Sequence, residues 1–100
     1  MAFEIYETEE ANAQRLALQA ATTKREIAAC KAVQKAIRYL AENPRHPGLN
    51  THEYDSLQGA NGERVWEAYA ENATPGAYRI FWHYGPGKGI ITIIAITPHP

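Results

Sequence analysis

Arg79 stands in the middle of an aromatic run, Ala77-Tyr78-Arg79-Ile80-Phe81-Trp82-His83-Tyr84, and its planar, permanently charged guanidinium is the first group in this chain able to do chemistry. Its fork suits two phosphoryl oxygens at once; the alternative is an ion pair across a sheet, with Glu67 as partner. The four histidines, His46, His52, His83 and His99, are the next candidates, because an imidazole can give or take a proton near neutrality. They fall on separate elements with no metal-ligand spacing, so neither a metal nor another cofactor is expected. Gly85, Gly87 and Gly89 join strand to strand and present no helix N-terminus, which excludes a glycine-rich phosphate loop. Lys24, Lys31, Lys35 and Arg38 line one side of a helix, either as a phosphate-facing stripe or as an ordinary solvated face.

The chain has 100 residues, enough for one two-layer core, so a single domain spanning residues 1–100 is expected and its function must sit on one surface. A net charge of -1 and a pI near 6.4 argue against a generally basic nucleic-acid binder. The charge is nevertheless polarised. Seven of the ten Lys and Arg residues precede residue 46, whereas Glu53, Asp55, Glu63, Glu67 and Glu71 make the following stretch acidic. Cys30 is the sole cysteine and reads as a core filler, since one thiol forms neither a disulfide nor a thiolate cluster within one chain. Met1-Ala2-Phe3-Glu4 lacks the basic and apolar run of a leader, and no segment has the apolar length of a membrane span. A cytoplasmic protein without membrane contact is expected.

The elements that must position these groups follow from periodicity. Ala2 to Tyr6 alternates and reads as an opening strand. Thr8 caps a helix running to about Ala21, with Glu9 and Glu10 in its first turn and a thin apolar stripe of Leu16, Ala17 and Ala20. Thr23-Lys24-Arg25-Glu26 is a capping box opening a second helix, which ends near Glu42 before Asn43-Pro44 and buries Ile27, Cys30, Val33, Ile37 and Leu40. Leu49 to Leu57 reads as a polar, exposed strand. The glycines of Gln58 to Glu63 turn the chain into a strand from Arg64 to Glu71, with Val65, Glu67 and Tyr69 on one face and Trp66, Ala68 and Ala70 on the other. The next strand puts Tyr78, Ile80, Trp82 and Tyr84 on one face and Arg79, Phe81 and His83 on the other. The Gly85 to Gly89 turn leads to Ile90 to Thr97, apolar on both parities and hence an interior strand.

The order β-α-α-β-β-β-β, the Asn43-Pro44 helix end, the Leu57-Gln58-Gly59 turn, the Ala77-Tyr78-Arg79-Ile80 strand and the apolar last strand ending near a histidine resemble the RelE/ParE toxin superfamily. The resemblance spans essentially the whole chain. Its most specific part is Tyr78-Arg79 followed by an aromatic-apolar strand, a turn and Ile93-Ile94-Ala95-Ile96. It implies an α+β fold, two N-terminal helices on one face of a largely antiparallel sheet, and a small bacterial toxin of a type II toxin-antitoxin system, encoded with a cognate antitoxin that wraps over it. RelE-like members cut messenger RNA on the ribosome; ParE-like members poison DNA gyrase by binding; a non-toxic relative that only binds partners is the third expectation.

For a metal-free mRNA endonuclease, the ribose 2′-hydroxyl attacks the adjacent phosphate, which needs a base, a cation and an acid. The resemblance matches Arg79 to the family's strand arginine and implies transition-state stabilisation. By position it makes His99 a proton-transfer residue, or else part of a frayed tail, and His52 a second proton shuttle, or else an exposed histidine. Glu67 and Tyr69 stand where ribosome-dependent relatives carry lysines. Glu67 is then a candidate general base and Tyr69 a base-stacking platform or a ring packed on its sheet neighbours. Lys31, Lys35, Arg38 and His83 complete the candidate RNA-binding set, with a solvated face and a structural histidine as the alternatives.

Overall fold

The computed structural model describes residues 2–99. Met1, within the segment read as lacking a leader, and Pro100, which flanks His99, lie outside the described residues. Strand β1 (Glu4–Glu7) is followed by helices α1 (Glu9–Ala20) and α2 (Lys24–Glu42), a short 3-10 turn (Pro47–Leu49), and strands β2 (His52–Gln58), β3 (Arg64–Tyr69), β4 (Tyr78–Tyr84) and β5 (Ile90–Pro98). The sheet order is β1-β5-β4-β3-β2. Only β1 runs parallel to its neighbour; the other three pairings are antiparallel. The α+β architecture and element order expected from the sequence are therefore present.

Each helix starts on a threonine. Thr8 Oγ1 accepts the Ala11 amide at 3.2 Å, and Thr23 Oγ1 accepts that of Glu26 at 3.2 Å. The second box differs from expectation in one bond: Glu26 takes the Thr23 hydroxyl at 2.7 Å. Thr8 also donates that hydroxyl to the Ile94 carbonyl at 3.2 Å. Thr8→Ala should therefore cost more, about 2 kcal/mol against about 1 kcal/mol for Thr23→Ala, because a sheet carbonyl loses its partner along with the cap. Paired thermal melts would check the ranking.

The core lies between the helices and one sheet face, centred on Val33, Leu40, Leu49, Ile80, Trp82, Ile91 and Ile93. Two helix faces depart from the periodicity reading. In α1 the buried residues are Ala11 and Leu18, and Leu16, Ala17 and Ala20 face outward. In α2 Ala29, Val33, Ala36 and Leu40 are buried, Cys30 and Ile37 are half-buried, and Ile27 is exposed. The small alanines let the α2 backbone lie close to the sheet, so the contact face turns toward them and away from the bulkier Ile27. Leu49, expected at the start of an exposed strand, is instead fully buried in the 3-10 turn, and β2 begins only at His52.

β3 and β4 alternate as expected. Trp66, Ala68, Ile80 and Trp82 join the core, whereas Val65 and Phe81 form a small second cluster with Ala95 on the other face. β5 carries a bulge. Phe81 pairs with Ala95 and Trp82 with Ile93, leaving Ile94 unpaired against β4. Helix α1 satisfies the disrupted backbone, through Thr8 on the Ile94 carbonyl and through Gln14 Oε1, which accepts the Ile96 amide at 2.6 Å. In the β4–β5 turn Gly85, Gly87 and Gly89 all hold φ between 72° and 90°, a region that only glycine enters at little cost.

Candidate active site

On the face of the sheet away from the helices, antiparallel register brings three strands' polar side chains together. Tyr69 on β3 lies directly across from Arg79 on β4, and His52 on β2 directly across from Glu67 on β3. Glu67 is therefore the diagonal neighbour of Arg79. Glu67, Arg79 and the helix-side Trp82 are all nearly buried, at 6%, 8% and 1% exposure, while His52 is open to solvent.

The Arg79 guanidinium lies on the Tyr69 ring, its Cζ 3.7 Å from the centroid, and Nη1 donates to the Glu71 carbonyl at 2.6 Å. Nε reaches Glu67 Oε2 only at 3.7 Å, too long for a hydrogen bond, and has no hydrogen-bond partner among the described residues. The ion pair expected as the alternative role of Arg79 is thus present in loose form. One face of Tyr69 is covered by Arg79, and the edge-on contact with His52, at 5.6 Å and 82°, flanks the same ring.

Glu67 Oε1 lies 2.7 Å from His52 Nε2, and His52 Nδ1 lies 3.1 Å from the Asn50 carbonyl. A carbonyl only accepts, so Nδ1 carries a proton; two acceptors cannot sit 2.7 Å apart without one between them, so a second proton lies between Nε2 and Oε1. The geometry assigns one proton shared between the imidazole and the carboxyl. Such a pair holds a transferable proton beside a fixed cation, which is what acid-base work on a phosphodiester requires.

Two supporting residues have no local signature in the sequence. Arg25, in the first turn of α2, grips Glu71 with two bonds of 2.8 and 2.9 Å, and Glu71 Oε1 accepts the Tyr78 amide at 3.1 Å. The clamp fixes the backbone whose carbonyl aims Arg79. Burial pushes the Glu71 carboxyl up, but the Arg25 bonds, the Tyr78 amide and the charges of Arg25 and Arg79 outweigh it and hold it below the ordinary range. At the other end of the sheet, hydrogen bonding to Arg15 lowers Glu7 against burial, with Asn12 adding to it. Carboxyls depressed in the fold stabilise it above their unfolded value of about 4.3 and lose that contribution as pH falls through the folded value. Urea midpoints should therefore drop below about pH 4, and Arg25→Met should shallow that drop relative to wild type.

The remaining candidates lie apart. His83 is buried on the same face as Arg79 but about 13 Å further along β4, with Nδ1 2.8 Å from the Tyr84 carbonyl. Lys31, Lys35 and Arg38 are exposed on α2, in the layer behind the sheet, with Lys35 over the Tyr39 ring at 5.5 Å. His99 follows β5, its amide donating to the Ala77 carbonyl at 2.8 Å; it stands two residues beyond Thr97, which lies across from Arg79.

This fold is similar to that of solved RelE, YoeB and ParE toxins. Three solved structures share it: a RelE from a RelE-RelB complex of Pyrococcus horikoshii (16% identity, 98% of this chain and 96% of that one, TM-score 0.62), a YoeB/ParE toxin from Agrobacterium tumefaciens (11%, 97% and 99%, 0.69) and a YoeB dimer from Staphylococcus aureus (10%, 100% and 100%, 0.66). No family sequence model and no curated protein sequence matches the chain. No helix among the described residues is long and apolar enough to cross a membrane.

Proposed function

We propose that this chain is the toxin of a type II toxin-antitoxin pair and cuts messenger RNA in the cytoplasm, until a cognate antitoxin covers it. The observation that carries the reading is the convergence of Arg79, Glu67 and His52 on one uncovered face, with Glu67 2.7 Å from the imidazole. With the scissile phosphate beside Arg79, Glu67 accepts the 2′-hydroxyl proton as that oxygen attacks phosphorus, and Arg79 balances the charge growing on the phosphoryl oxygens. His52 returns a proton to the departing 5′-oxygen, leaving a 2′,3′-cyclic phosphate. His99, which follows β5, is the alternative donor for that same proton. The solved RelE-RelB complex supports the antitoxin as partner.

A gyrase-binding toxin is the second reading. It is favoured by the net charge of -1 and by an acid and a phenol at 67 and 69, which leave those two positions without cations for ribosomal phosphates. Growth and primer extension on cellular messages after induction of wild type, Glu67→Gln and His99→Gln separate the readings. New RNA 5′ ends that vanish in Glu67→Gln support the nuclease, and arrest without cleavage favours gyrase. Soluble protein that arrests nothing sinks both.

A further inference from the structure

Behind the sheet, between the Pro44–Thr51 segment and the ends of β3 and β4, lies a cavity of about 440 Å³. We infer that it is a nucleotide-binding subsite that takes one base of a single-stranded RNA against its aromatic wall and the adjoining phosphate on Arg45. The proposal deepens the nuclease reading and rests on it for the identity of the strand; the binding itself is tested separately.

The wall is aromatic: the half-buried Trp66 and the exposed Tyr84 face the cavity, and the buried Trp82 backs them. Trp66 and Trp82 stack at 6.3 Å and 26°, and Tyr84 meets Trp82 edge-on at 4.9 Å. Tyr84 remains 43% exposed, an amphipathic ring left open at the mouth. The opposite side is held rigid by Pro44 and Pro47 and by the left-handed Asn50, at φ 47°. A volume of this size is ordinary for a small-ligand site, and flat aromatic walls favour a flat ring.

The polar groups suit a nucleotide better than an apolar side chain. Arg45 is exposed and lines the cavity. His46 is stacked on Tyr39 at 3.9 Å, and its Nδ1 accepts the Gly48 amide at 2.9 Å, so the neutral ring carries its proton on Nε2 as a donor. A guanidinium and an N–H donor beside a stacking wall match a phosphate attached to a base.

Continuity with the candidate active site gives the strand's path. Thr51 and Trp66 line the cavity, and the residues that follow them, His52 and Glu67, are the proton pair on the opposite face. β2 is the edge of the sheet, so a single strand bound at Arg79 passes over that edge to reach the cavity. A nucleotide beside the cleaved one is then read there.

Trp66 and Trp82 are the only tryptophans of the chain, so intrinsic fluorescence reports the cavity directly. Purified wild-type protein is titrated with the four ribonucleoside 5′-monophosphates, with inorganic phosphate and with a short tyrosine-containing peptide. Saturable quenching by at least one monophosphate is expected, weakened at least fivefold in Arg45→Ala and in Tyr84→Ala, both at exposed positions, and retained in Glu67→Gln. If cleavage is also observed, Tyr84→Ala should change the base preferred beside the cut. Quenching by inorganic phosphate alone, quenching by the peptide alone, or no saturable change with any monophosphate overturns the inference. Because Glu67→Gln removes cleavage but leaves the cavity intact, failure of the nuclease reading and failure of this one give different results.

Discussion

Under the nuclease reading proposed above, Arg79→Ala should lower RNA cleavage by at least about 100-fold while leaving a folded protein, because the substitution removes a positioned cation from a nearly buried place in the site. The side chain is 8% exposed, and its charge is held by Tyr69, the Glu71 carbonyl and a loose contact to Glu67. Breaking a buried pair usually destabilises by about 3–5 kcal/mol, since it strands the other charge. Here Glu67 keeps His52 at 2.7 Å, so the loss should be about 1–2 kcal/mol. Arg79→Lys keeps the charge but loses the fork and the flat stack on Tyr69, and its activity should fall between wild type and alanine. Initial cleavage rates on ribosome-bound message, with circular dichroism of each variant, make the test. A folded Arg79→Ala protein that cuts at the wild-type rate would leave the arginine as a strut of the sheet.

Trp82→Ala should be the most damaging single change to the fold, costing about 3–5 kcal/mol. Trp82 is the largest fully buried side chain and sits on the central strand β4. A domain of this length is stable by only about 5–15 kcal/mol, so the melting temperature should fall by at least about 12 °C. Trp82→Phe tests the origin of the loss. The indole Nε1 is buried and has no hydrogen-bond partner among the described residues, so phenylalanine sheds an unsatisfied donor as well as volume. The two effects oppose each other, and Trp82→Phe should cost less than about 1.5 kcal/mol. Urea unfolding of the pair decides the matter: equal losses in Phe and Ala would mean that the indole N–H is satisfied.

The strands of the site were legible because strict alternation leaves one residue in two on each face. Glu67 and Tyr69, and Arg79 and Phe81, could be assigned to one surface from parity alone, and register then made His52 the partner of Glu67. The helices were less legible. Alanine is nearly neutral to burial, so a stripe of Leu16, Ala17 and Ala20 looked as apolar as the true contact through Ala11 and Leu18. Leu49 was misread because a polar run follows it, although its burial depends on a proline-bracketed turn folding under the sheet. The Arg25–Glu71 clamp joins residues 46 apart and could not be seen in any window of the sequence.

The bulge at Ile94 also sets the phase of the residues that follow it in β5. Ile91 and Ile93 point to the helices from odd positions, and after the bulge Ile96 does so from an even one. Ala95 and Thr97 are thereby turned outward, onto the side of Arg79. A chain shorter by one residue here would keep the odd positions facing inward. The threonine across from Arg79 would then lie under the helices, on the other side of the sheet. Which side of the sheet Thr97 takes is thus counted out by a single inserted isoleucine, which α1 holds in place through Thr8 and Gln14.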